Sequence, residues 1–149
     1  MLFSPWELHD AVPEERTNML TIKVWCLPRL SQKKLEALFW GLVWTVEGID
    51  AMVKAGHKGV GKMLILFPSD MMKLGLGAEV LVEVDGLNNV PECNLSTRNE
   101  LAKKLGAVVQ RFVPKAQVDC RVYKPDPSIG CWQSARRKMP VERRPKCHS

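Results

Sequence analysis

Between residues 19 and 132 the chain alternates two hydrophobic periods, and it does so twice. LTIKVWCL at 20–27 is rich in β-branched and aromatic residues and predicts a strand, stopped by Pro28. Leu35, Leu38, Phe39, Leu42, Val43 and Val46 then recur at i, i+3, i+4, i+7, i+8 and i+11. That is the stripe of an amphipathic helix, with Ser31 as a plausible N-cap. MLILF at 63–67, stopped by Pro68, is a short continuous apolar run and reads as a buried strand. The second unit opens with EVLVEVDGL at 79–87, where Val80, Val82 and Val84 alternate. Asn94, Ser96 or Thr97 can cap a helix whose stripe is Leu101, Leu105, Val108, Val109 and Phe112, and Pro114 ends it. VDCRVY at 118–123 alternates again, with Val118, Cys120 and Val122 on one side.

A crossover through a helix makes the two strands of each unit parallel and lays the helix on one face. Two tandem β-α-β units therefore predict an α/β fold: a four-stranded mixed sheet with both helices on the same face. The other face is left uncovered. Strands as apolar as MLILF and VWCL do not suit a water-facing surface, so this face is expected to pack on another subunit.

The stretch GHKGVGKM at 56–63 matches the phosphate-binding pattern G-x-x-x-x-G-K-[ST] in all but its last position. There Met63 replaces the hydroxyl that would hold Mg²⁺. The order of elements is also reversed, because the stretch follows a helix and precedes a strand, whereas a phosphate loop follows a strand and opens a helix. Its glycines are better placed to end the first helix and turn the chain into the sheet.

Composition narrows the class. At 149 residues with 46% hydrophobic content, the chain is about one domain with a real core. No apolar run approaches the roughly 18 residues of a membrane span, and the first residues, MLFSPWELHD, lack the basic-then-apolar order of an export signal. Five cysteines form no C-x-x-C pair, and the odd count argues for reduced thiols and a cytoplasmic protein. Cys26 and Cys120 fall on predicted strands and read as inert buried thiols. Histidines 9, 57 and 148 are scattered without ligand spacing, so no metal and no cofactor is indicated. The net charge of +6 is uneven: residues 133–149 carry six Lys or Arg against Glu142, while residues 1–18 are acidic. This divides the chain into an extension (1–18), a folded domain (19–132) and a basic tail (133–149). The tail reads as a solvated end that could neutralise phosphates of a nucleic acid.

Several short motifs, in order, resemble the tautomerase superfamily, in particular macrophage migration inhibitory factor and 4-oxalocrotonate tautomerase. Cys26-Leu27-Pro28-Arg29 after the first strand resembles a Val-Pro-Arg motif. FPSDMMKLGLG at 67–77 is similar to P-D-x-x-M-x-F-G-G, with Pro68, Met72, Leu74 and Gly75 in matching places, and DPSIGCW at 126–132 resembles a terminal segment ending in Gly-Trp. Between Arg29 and Pro68 the chain is longer than that pattern, and GHKGVGK is the expected site of insertion. The resemblance implies a homotrimer with sites at subunit interfaces, and an N-terminal proline acting as a general base on enol or keto acids. An amine disfavoured in its charged form by burial can lose its proton near neutral pH.

Carried over residue by residue, the resemblance implies Arg29 and Lys62 as cations for a small carboxylate ligand and Leu74 as a pocket wall. The proline position falls at Met19, counting from Arg29, or at Leu20, counting from Ser31; neither is proline, and in this chain residue 18 precedes them. The cationic half of a site is thus expected without its base. Plainer roles compete: Arg29 as a helix-flanking surface charge, Lys62 as a loop cation, and Leu74 with Met71 and Met72 as packing. Trp25, Trp40 and Trp44 read as core or interface aromatics. The alternative function is a non-enzymatic trimeric module that displays its basic tails to nucleic acid or an acidic partner. Steep salt dependence that vanishes on deleting 133–149 would distinguish it from a carboxylate site.

Overall fold

The computed structural model describes residues 19–68 and 79–126. Leu74, with most of the 67–77 motif, the extension 1–18 and the tail 133–149, lies outside the described residues. Four strands, β1 (Leu20–Trp25), β2 (Met63–Leu66), β3 (Glu79–Asp85) and β4 (Gln117–Val122), form one sheet in the order β2-β1-β3-β4. β1 runs parallel to β2 and β3 parallel to β4, while β1 and β3 meet antiparallel at the centre. This is the expected mixed sheet of two tandem units.

Helices α1 (Gln32–Glu47) and α3 (Leu95–Phe112) cover one face, and a short helix α2 (Asp50–Lys54) follows α1. The Ser31 side chain accepts from the Lys34 amide and Asn94 accepts from the Thr97 amide, so both long helices start at a polar cap. Of the caps considered for α3, Asn94 is the one used; Thr97 is itself buried. Leu38, Leu42, Val43 and Val46 from α1 and Leu101, Leu105, Val108 and Val109 from α3 are buried against the sheet. Opposite them stand Leu20, Ile22 and Val24 of β1 and Val80, Val82 and Val84 of β3, none more than 1% exposed. Gly41 lets the helices approach closely, since a Cβ there would lie 3.2 Å from Val108 Cγ1.

The sequence expectation differs from the structure in four places. β1 ends at Trp25, because Cys26 takes a left-handed conformation (φ 66°) that breaks the ladder, so Cys26 lies beyond the strand. The glycine-rich stretch is not a plain turn: α2 precedes it, and a 3₁₀ turn (Val60–Lys62) closes it. Five residues are too few to show helical periodicity, yet Met52 is fully buried. MLILF is an edge strand rather than a buried one, and Leu64 and Leu66 are 41% and 38% exposed.

The fourth difference is the uncovered sheet face, which is not uniformly apolar. Alternate residues place a charged row across its middle, with Leu66 beside Lys23, Lys23 opposite Glu83 and Glu83 beside Arg121. The Trp25 indole N–H donates to Glu83 Oε1 at 2.6 Å, and the Tyr123 hydroxyl donates to Oε2 at 2.6 Å. The hydrogen bond to Glu83 pushes the Tyr123 phenol up from its ordinary value of 10.0. The apolar side chains of β2 lie at one margin of this polar centre.

Gly86, just after β3, adopts φ 82°, and a Cβ on it would stand 2.2 Å from the Met19 carbonyl oxygen. Both the conformation and the contact demand glycine. Gly86→Ala is expected to cost about 3 kcal/mol or more, from a left-handed strain of order 1 kcal/mol plus displacement of the start of β1. Urea unfolding should show a lowered midpoint, whereas an unchanged midpoint would mean that the β1 start yields without cost.

Candidate functional site

The parallel register Leu20↔Met63 sets the start of β1 against the start of β2. Lys62, the last residue of the 3₁₀ turn, thereby stands level with Met19. The Lys62 amide donates to the Gly59 carbonyl at 3.1 Å, which closes the turn and fixes the approach to β2. Gly86 packs on the Met19 carbonyl from the end of β3. Three elements therefore converge on one end of the sheet, and Lys62 is the cation they bring to it.

The two positions suggested for the base are unlike each other. Leu20 is fully buried beneath the helices, whereas Met19 is 40% exposed at this end of the sheet. Arg29 is exposed and belongs to the connection that leaves the opposite end of β1. Six strand residues span roughly 17–20 Å, so the sheet separates the region of Arg29 from that of Lys62 within one chain. Met19 and Lys62 are brought together; Arg29 is not.

Sequence reasoning passed over His57. It is fully buried, and its Nε2 accepts from the Asn88 backbone N–H at 2.9 Å, while Asn88 Nδ2 donates to the Ala55 carbonyl at 2.7 Å. These bonds tie the glycine-rich stretch and the end of α2 to the turn after β3. Burial, and then the nearby charge of Lys62, holds the imidazole below its ordinary value of 6.5. A histidine flanked by glycines and lysines carries no sequence signal of burial. Glu47, at the end of α1, secures the same stretch by accepting from the Gly59 amide at 3.1 Å.

The thiols of the described residues are poor nucleophiles where burial acts on them. Burial pushes Cys120 up to about 12, and burial followed by the Glu92 charge raises Cys93. Among the described residues no cluster of three or more His, Cys, Asp or Glu side chains is arranged to hold a metal ion. Nor is any helix among them long and apolar enough to cross a membrane. A groove of about 390 Å³ lies between α3 and the edge strand β4, lined by Gly106, Gln110 and Cys120 among others. Gln110 spends its amide N–H groups on the Val113 and Ala116 carbonyls.

No protein-family model matches the sequence, and no curated protein matches it either. Solved structures do match the fold. A protein of unknown function from Vibrio cholerae O1 biovar eltor aligns at a TM-score of 0.56 with 9% identity, over 83% of this chain and 91% of that one. Macrophage migration inhibitory factor of Toxoplasma gondii aligns at 0.52 with 17% identity, over 72% and 91%. A 5-carboxymethyl-2-hydroxymuconate delta-isomerase aligns at 0.52 with 8% identity, over 79% and 90%. Identities this low speak for backbone architecture alone, and the architecture agrees with the topology above. The chain has the α/β fold seen in macrophage migration inhibitory factor of Toxoplasma gondii and in that delta-isomerase.

Proposed function

We propose that this is a tautomerase-like protein that assembles as a homotrimer and binds a small keto or enol acid where copies meet. The observation that carries this reading is the placement of Lys62 level with the exposed Met19, with Arg29 at the far end of the strand. An anion held by both cations needs Arg29 from a neighbouring copy, so the site is complete only in the assembly. The margin of exposed Leu64 and Leu66 beside a charged centre supports association, since lone strand edges with apolar side chains invite pairing.

Lys62 would neutralise a substrate carboxylate or a developing enolate oxygen, and charge stabilisation of this kind acts most strongly in a partly desolvated mouth. Met19 occupies the place of the base but brings only an amide nitrogen, so binding persists where proton transfer is weak.

The assembly and the site are tested together. Sedimentation should report a mass near three chains, about 50 kDa from 16.8 kDa each. A phenylpyruvate-type acid should raise the melting temperature of that species, by about 2.7 kcal/mol of stabilisation at one hundred times Kd. Lys62→Ala and Arg29→Ala should each abolish the shift. A stable monomer at micromolar concentration, or a shift untouched by both variants, would overturn the reading.

A further inference from the structure

His57 lies in the glycine-rich stretch at residues 56–62, and its geometry is that of a lock with one chemical state. The Asn88 backbone N–H can only donate, so Nε2, which accepts it, is unprotonated and the ring proton sits on Nδ1. That Nδ1–H is buried and has no hydrogen-bond partner among the described residues. A second proton would make Nε2 a donor facing a donor and would place a full charge in a fully buried side chain. The ring can take that proton only if the stretch separates from the Asn88 turn.

Among the described residues, the charged groups on the elements around His57 give no compensating partner. Lys62, on the same stretch, opposes the imidazolium charge. Lys58, Asp50, Lys54 and Asp85 are exposed. Glu47, half-buried at the end of α1, is engaged with the Gly59 amide, and Glu92 is half-buried in the turn beyond Asn88. The Asn88 turn itself presents its backbone N–H to the ring.

We propose that His57 is a pH-operated latch: taking up a proton frees residues 56–62 from the Asn88 turn and loosens Lys62 from the start of β2. The sign follows from burial. The imidazole is held below 6.5 when closed and returns to its ordinary value when open, so the open form binds the extra proton. Closure is complete above about pH 6.5 and weakens as the pH falls from there toward the closed-state value. In that window opening grows by at most about tenfold per pH unit. If Lys62 binds an acid as proposed above, affinity falls with it, but the latch can be read without any ligand.

The test is amide hydrogen exchange on the full chain between pH 7.5 and 5.5, together with the ring-nitrogen NMR shifts of His57. The Asn88 and Lys62 amides should lose protection up to about tenfold per unit below pH 6.5, while those of Val24 and Val82 in the central strands do not follow. The ring should show its proton on Nδ1 at pH 7.5. His57→Gln supplies an uncharged acceptor for Asn88 and should remove the pH dependence of both amides. The proposal is overturned by an Nε2-protonated ring, by Asn88 protection that is flat with pH, or by a folded His57→Gln variant with the wild-type pH dependence. If that variant fails to fold, the ring tautomer and the wild-type exchange profile decide alone.

Discussion

Val82→Glu should leave no folded protein at neutral pH. Val82 is fully buried on central strand β3, opposite Val24 and beside Cys120, with its side chain under the helices. Holding a carboxyl neutral at pH 7, against an ordinary value of about 4.3, costs roughly 4 kcal/mol. Burying its unpaired polar atoms adds about 1–3 kcal/mol, and the extra volume in a close-packed core a similar amount. The sum rivals the 5–15 kcal/mol that typically holds a domain together. A sequence reading alone leaves open whether this strand's valines meet a neighbouring subunit; the structure turns them to α1 and α3, so the expected failure is of folding rather than of assembly. Circular dichroism should show loss of cooperative melting. Leu81→Glu, one residue away on the uncovered face, should retain it. A Val82→Glu variant that melts within a few degrees of wild type would mean the strand is inverted relative to this structure.

Turnover of a phenylpyruvate-type enol by the full-length chain should be at most a trace. Inside the chain, the nitrogen of residue 19 or 20 is an amide whose lone pair is delocalised into the carbonyl. General base catalysis typically contributes about 10²- to 10⁴-fold, and that factor is what this chain forgoes. A shortened chain beginning with proline in place of Met19 should recover it, because residue 19 is exposed level with Lys62 and its terminal amine would be basic. A chain beginning with proline in place of Leu20 should not. It loses a fully buried leucine side chain, at about 2–5 kcal/mol, as well as the residue on which Gly86 packs. The contrast between the two separates the two possible alignments of the site. Strong turnover by the full-length chain would show that some other residue is the base and that Met19 is not the place of the chemistry.

The regular elements were legible because their information is local. Val80, Val82 and Val84 alternate, Leu101, Leu105, Val108 and Val109 fall on one helical stripe, and each pattern has a single secondary structure that buries it. The first unit was harder. MLILF carries no alternation, so nothing in it distinguishes a strand buried on both faces from one at an edge with Leu64 and Leu66 in solvent. Cys26 interrupts an apolar run without any glycine or proline at its own position, and only its backbone marks the end of β1. Lys62 was named from its place before a strand, and that place proved to be level with Met19. Arg29 was named from a motif, and distance along β1 is invisible in a motif.

By itself, the sequence determined two strand–helix–strand units, their order, the cap at Ser31 and the face each helix buries, and it narrowed the second cap to Asn94, Ser96 or Thr97. These depend on hydrophobic periodicity and on side chains that satisfy backbone groups within a few residues. Only the tertiary structure decided that β1 and β3 meet antiparallel at the centre and that Glu83 gathers Trp25 and Tyr123 on the open face. It likewise decided that Met19 rather than Leu20 is exposed, and that His57 is sealed against Asn88, 31 residues away. Such pairings join residues far apart in the chain. Their partners are chosen by which strands become neighbours, and neighbourhood is a property of the folded whole that no local period encodes.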